Sequence, residues 1–194
     1  MTTASAATRG PLRIAFHGER GAFSELAIRH WWTATAEPVP CRTFDDVFAT
    51  LCRGAADAAV LPIENRIVGP VQAARDALAR AGDAVRKTGE VTVPVRHALL
   101  AVPGATLAGL VAVRSHPVAL AQCTRVTAAH GWRPDASYDT AGAAREVAAA
   151  GDPTVAAIAP ATAAARYGLV VLADAIQDEP DNWTRFVRVE RVPA

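Results

Sequence analysis

The chain has 194 residues, 51% of them apolar, and a formal net charge of +1, enough to bury a sizeable core as one domain or as two small lobes. Near-neutral charge without a dense Lys/Arg block excludes the many phosphate contacts on which nucleic-acid binding rests. Residues 1–11 are small and polar and are expected to be disordered; they lack the apolar core of a signal peptide, and no later stretch is apolar for long enough to cross a bilayer, which predicts a cytoplasmic protein with no membrane partner.

In chain order, short β-rich apolar runs alternate with alanine-rich stretches at helical spacing, the pattern of an α/β fold. Leu12 to Phe16 predicts the first strand and Phe23 to Trp32 the first helix. Phe44 to Arg53 predicts a helix with Asp45 and Asp46 in its first turn and Gly54 past its end, feeding a strand at Ala58 to Pro62. Val68 to Ala81 reads as a further helix, Glu90 to Ala101 as continuous strand, and Val111 to Val113 as a short strand. Pro117 to His130 follows as a helix capped by Ser115 or His116, then Thr140 to Ala150 as another. Val155 to Ala159 is a buried strand, Pro160 opens a helix that Gly168 closes, and Phe186 to Glu190 is the last strand.

Strands that run straight into helix N-termini present unpaired N–H groups and a partial positive charge, so each is a candidate anion cradle. Gly18-x-x-Gly21-x-x-Ser24 is the first, although it lacks the third glycine of a dinucleotide fingerprint and reads equally as a helix cap. Ser115-His116-Pro117 is the second, with the plain reading of a capping serine before a first-turn proline. Glu64-Asn65, after a buried strand, suits either a cleft that touches substrate hydroxyls or an ordinary turn. Thr184-Arg185-Phe186 sets a hydroxyl beside a guanidinium at the head of a strand, which by itself fits a surface pair as well as a site. His17, His30, His97 and His130 have no metal-ligand spacing, and Cys41, Cys52 and Cys123 form no C-x-x-C pair, so no metal is expected and the thiols read as buried.

Gly18-Glu19-Arg20-Gly21-Ala22-Phe23-Ser24-Glu25, Leu61-Pro62-Ile63-Glu64-Asn65, Ser115-His116-Pro117 with Ala119-Leu120-Ala121-Gln122-Cys123, Ile176-Gln177-Asp178 and Asn182-Trp183-Thr184-Arg185-Phe186 occur in that order. Together they resemble the prephenate dehydratase family from Leu12 to Val192. The resemblance implies two α/β lobes around a cleft, an architecture similar to the type II periplasmic binding proteins. Residues 12–91 and 172–194 would form one lobe and 92–171 the other, with extended crossings near Val91-Thr92-Val93 and Val170-Val171-Leu172. It further implies a cofactor-free carbon–oxygen lyase that converts prephenate to phenylpyruvate in L-phenylalanine biosynthesis, assembled as a homodimer, here as a catalytic domain without the ACT regulatory domain of many members.

The family's catalytic threonine and neighbouring arginine map onto Thr184 and Arg185, and the substrate-binding set onto Ser24, Glu64, Asn65, Ser115, His116, Thr140 and Phe186. Arg66 and Asp139 depart from the family pattern, each standing where a hydroxyl is usual. A carboxylate at 139 would repel a dianion unless it turns away to cap its helix. Three alternatives stay open: a related prephenate decarboxylase that keeps the ring hydroxyl, an arogenate dehydratase, and a non-catalytic anion-binding protein.

Overall fold

The computed structural model describes residues 10–33 and 35–193; the disorder expected at the N-terminus falls mostly on residues 1–9, outside that range. In chain order the elements are β1 (Leu12–His17), α1 (Phe23–Trp32), β2 (Ala36–Cys41), α2 (Phe44–Cys52), β3 (Ala58–Asn65), β4 (Gly69–Pro70), α3 (Gln72–Ala81) and β5 (Val85–Pro94). They continue as β6 (Ala98–Ala101), β7 (Ala112–Ser115), α4 (Pro117–Ala121), α5 (Thr124–His130), β8 (Arg133–Ala136), α6 (Thr140–Ala150), β9 (Val155–Ala159), α7 (Thr162–Tyr167), β10 (Val170–Ala173) and β11 (Trp183–Arg191).

Two sheets divide these strands, one in the order β2-β1-β3-β11-β5 with β4 paired to β3, the other in the order β10-β6-β9-β7-β8. In the first, β2, β1 and β3 run parallel and β11 lies antiparallel between β3 and β5, so the end of the chain completes a sheet begun at its start. Side-chain alternation sorts each strand between two cores. Ile14, Phe16, Val60 and Phe186 pack under Ala27 and Ile28 of α1, whereas Ala15, Ala59, Leu61 and Val187 pack under Val47, Phe48 and Leu51 of α2 and Ala77 of α3. The second sheet repeats the arrangement: Ala98 and Leu100 face α6 and α7, and Leu99 and Ala101 face Val113, Cys123 and Trp132.

The halves meet at the loop after β1. Gly21, at φ +89°, lies so close to α7 that a Cβ there would come within 3.1 Å of the Ala163 Cα, a place only glycine fills without strain. Tyr167 donates its hydroxyl to the Arg20 carbonyl at 2.7 Å, Thr162 to the Gly21 carbonyl at 3.2 Å, and Tyr138 to the Glu19 carboxylate at 2.8 Å. These bonds hold one edge of the inter-sheet cleft closed.

Several sequence expectations change. Val68 to Ala81 is not one helix, because Gly69–Pro70 pairs with β3 before α3 begins at Gln72. Glu90 to Ala101 is two strands in different sheets, broken after Pro94, so the chain crosses at 95–97 rather than at 91–93. The segment 170–172 is no crossing either: it is the edge strand β10, and the return runs through 174–182. Pro117 to His130 splits at Gln122–Cys123, and Asp178 supplies the second start by accepting from the Thr124 and Arg125 N–H groups at 2.9 and 3.0 Å. Pro38, Pro40 and Pro134 hide the strand pattern of β2 and β8 in the sequence; both are edge strands, where a missing N–H costs little. Among the cysteines, Cys52 is exposed and Cys41 and Cys123 are buried.

Candidate active site

A cavity of about 340 Å³ opens between the two sheets. The first sheet and its loops contribute His17, Ser24, Asn65, Thr184 and Phe186, and the second half of the molecule contributes His97, His116, Gln122, Asp139 and Thr140.

A bulge decides which residues of the Glu-Asn and Thr-Arg-Phe motifs reach this cavity. Along β11, Thr184 pairs with Asn65, Arg185 with Glu64 and Phe186 with Pro62, so Ile63 is an extra residue on β3. One extra residue reverses the side-chain parity beyond it. Thr184, Phe186, Pro62 and Asn65 therefore line the cavity, while Arg185 and Glu64 leave on the opposite face. There the Arg185 guanidinium bonds the Glu64 carboxylate and borders a depression shared with Arg75, Leu78, Lys87 and Glu90. Arg185 and Glu64, expected at the substrate, thus lie on the face of the sheet away from this cavity.

Asn65 organises the Thr184 corner. Its Nδ2 shares two hydrogens among Thr184 Oγ1 at 3.0 Å, the Asn182 side-chain carbonyl at 3.0 Å and the Trp183 carbonyl at 2.9 Å, and its Oδ1 accepts from the Ile67 and Val68 N–H groups. Among the described residues no group accepts from the Thr184 hydroxyl, so its hydrogen is free to serve a molecule in the cavity. Phe186 lies beneath, 2% exposed, fixing the strand against α1.

On the opposite wall His97 is buried and its Nε2 bonds Gln122 Oε1 at 3.0 Å; burial holds its pKa below the usual imidazole value despite that bond. The Ile176-Gln177-Asp178 motif positions both residues. Ile176 N–H donates to the His97 carbonyl, His97 N–H to the Gln177 side chain, and Asp178 N–H to the Gln122 carbonyl. His97, Gln122, His17 and Asp139 were not among the sequence-derived binding residues. The first two read as a lone histidine and a helix glutamine, with no local signal tying them to Gln177 and Asp178, 80 and 56 positions away in sequence.

Asp139 caps α6 through the Gly142 N–H at 2.8 Å. Burial pushes its carboxyl above the ordinary range, against the pull of the Gly142 and Ala141 N–H groups and of His17. His17 is pushed down by burial and drawn back up by Asp139, with His116 acting against it. Of the remaining expected residues, Ser24 lies buried in the first turn of α1, Thr140 starts α6, and His116 caps α4 by accepting from the Val118 N–H at 3.2 Å; all three line the cavity. Ser115 does not. Its hydroxyl is fully buried and spent on the Ile158 carbonyl across the sheet. Arg66 turns outward to Asp181 at 3.2 Å.

No group of three or more potential metal-ligating side chains gathers among the described residues. The Cys123 thiol is pushed up to about 12 by burial, which removes it as a nucleophile. No helix among the described residues is long and apolar enough to cross a membrane.

The prephenate dehydratase family profile matches residues 14–194. An arogenate dehydratase/prephenate dehydratase of Arabidopsis thaliana, a chloroplastic protein, is 41% identical over 191 residues, covering 98% of this chain and 49% of the relative. The chain therefore spans about half the length of the curated relatives it matches. Among solved structures, the prephenate dehydratase of Arthrobacter aurescens in complex with L-Phe superposes with a TM-score of 0.85 at 35% identity, over 94% of this chain and 61% of that one. GqqA, a quorum quenching acylase of novel type, superposes with a TM-score of 0.85 at 38% identity, over 94% of this chain and 65% of that one.

Proposed function

Since the chain belongs to the prephenate dehydratase family, we propose that its cleft converts prephenate to phenylpyruvate by decarboxylating dehydration, with Thr184 as the catalytic donor. The observation that carries this reading is the Asn65–Thr184 pair on the cavity wall, a hydroxyl that accepts from Asn65 and keeps its own hydrogen to donate.

Prephenate holds a carboxylate at a quaternary ring carbon and a hydroxyl across the ring. As the carbon–carboxylate bond breaks and releases CO2, its electron pair enters the ring, the carbon–oxygen bond breaks, hydroxide departs and takes one proton from solvent to become water, and the ring becomes aromatic. The driving force lies in the substrate, so the protein's part is to stabilise charge on the departing oxygen. A hydrogen bond from Thr184 strengthens as that charge develops, which is stabilisation of the transition state over the ground state. The apolar walls contributed by Phe23, Val71, Val95 and Phe186 exclude water and sharpen the effect. The first-turn N–H groups of α1 with Ser24, together with Thr140 and His116, are the groups we assign to the carboxylates.

Retention of Thr184 favours dehydration over simple decarboxylation, which has no hydroxyl to expel. An acylase reading, suggested by the likeness to GqqA, would need an activated nucleophile. Ser24, Thr140 and Thr184 line the cavity, and among the described residues none is hydrogen-bonded to a histidine. A cytoplasmic homodimer remains the assembly we propose from the family resemblance, with gel filtration coupled to light scattering as its check. The function itself is tested by incubating purified protein with prephenate and following phenylpyruvate; hydrolysis of an N-acyl amide with no phenylpyruvate formed would replace it.

A further inference from the structure

The cavity contains no arginine or lysine among its described lining residues, and its one carboxylate is Asp139. Both facts run against a ligand carrying two negative charges and nothing else. Prephenate is such a ligand. Its counterpart arogenate bears an ammonium where prephenate has a keto oxygen, so it carries the same two carboxylates with a lower net charge.

We propose that Asp139 is a specificity-determining residue that pairs with the α-ammonium of arogenate and makes this substrate the preferred one. The inference rests on the dehydratase reading above and names the substrate within it. Geometry supports the pairing. Asp139 Oδ1 is committed to the Gly142 N–H, whereas Oδ2 lies against Gly18, where an added Cβ would come within 3.0 Å of it. A glycine at that point, with φ +111°, leaves the carboxylate room beside the β1–α1 loop. His17 and His116 are the titratable neighbours inside the cavity, and Glu19 lies on the same loop. Thr184 sits on the wall of the first sheet and Asp139 on that of the second half, so a substrate spanning the cleft offers its hydroxyl to one and its side chain to the other.

Burial raises the Asp139 pKa, and an ammonium docked beside it favours the ionised form. Binding of the cationic side chain therefore recovers a charge that the keto acid would meet as repulsion.

The experiment compares kcat/KM for arogenate and prephenate in wild type, Asp139→Asn and Asp139→Ser. Both replacements keep an N-cap oxygen for α6, so the fold is preserved, and circular dichroism confirms it. Wild type should favour arogenate, and the ratio should fall roughly 10-fold or more in both variants through loss on arogenate and gain on prephenate. Product inhibition of the wild type adds an arm free of substitutions: phenylalanine, which keeps the ammonium, should compete with substrate at lower concentration than phenylpyruvate. A wild-type preference for prephenate, or a ratio unmoved in both variants, overturns the assignment of Asp139 while leaving the dehydratase reading intact. Turnover of neither substrate by wild type overturns both.

Discussion

Replacing Thr184 by valine removes one hydroxyl and nearly nothing else. Valine keeps the branched shape, and the Asn65 Nδ2 that loses Thr184 Oγ1 still has the Asn182 side-chain carbonyl at 3.0 Å and the Trp183 carbonyl at 2.9 Å. No buried donor is orphaned, so the stability cost should stay near ~1 kcal/mol, the net worth of a single hydrogen bond. The kinetic cost should be far larger. One donor aimed at developing charge in a water-poor site is worth ~3 kcal/mol, or about 100-fold in kcat. KM should change little, because the bond matters in the transition state and not in the bound substrate. Thr184→Ser, with its hydroxyl on the same Cβ, should recover much of the rate. The assay is steady-state formation of phenylpyruvate beside a thermal melt of each variant. A Thr184→Val protein with unchanged Tm and a kcat close to wild type would remove Thr184 from the chemistry.

Arg185→Lys should leave KM unaltered and lower Tm slightly, since Arg185 pairs with Glu64 on the far face of the sheet and such half-exposed pairs contribute about 1 kcal/mol or less; a raised KM with unchanged Tm would return Arg185 to the cleft. Glu25 is held below its ordinary pKa: burial pushes it up, but the Gly21 N–H, Arg29 and Arg20 outweigh that. Its folded pKa lying below the unfolded one, its contribution is present above the ordinary glutamate value and is lost as pH falls through the lowered folded value. Urea midpoints of Glu25→Gln should therefore lack part of the wild-type decline in that acid window, and parallel declines in the two proteins would refute the linkage.

The α/β alternation, α1, the 155–159 strand and the helix after Pro160 were legible because each is a local signal of periodicity, cap or breaker. Inter-sheet geometry was not. Pro94 and the Gln122–Cys123 break divide segments whose apolar pattern is continuous, and only tertiary partners such as Asp178 reveal the division. The same holds within the site. Thr184, Asn65, Ser24, His116, Thr140 and Phe186 reach the cavity as the motifs suggested, but the Ile63 bulge turns Glu64 and Arg185 away, and a bulge leaves no mark in a list of residues. Ser115 reads like a ligand-facing cap until its partner, the Ile158 carbonyl, is seen across the sheet. Asp139 stood out as a departure whose direction was undecided; the structure shows that it caps its helix and lines the cavity together, because one carboxylate has oxygens for both tasks.

The central claim is that this cleft expels the ring hydroxyl together with the ring carboxylate. Prephenate carrying oxygen-18 in its ring hydroxyl tests it directly. The account predicts unlabelled phenylpyruvate, label in the solvent water, and one CO2 for each aromatic product. Release of CO2 with the label retained on a non-aromatic ring would contradict it and establish decarboxylation without dehydration.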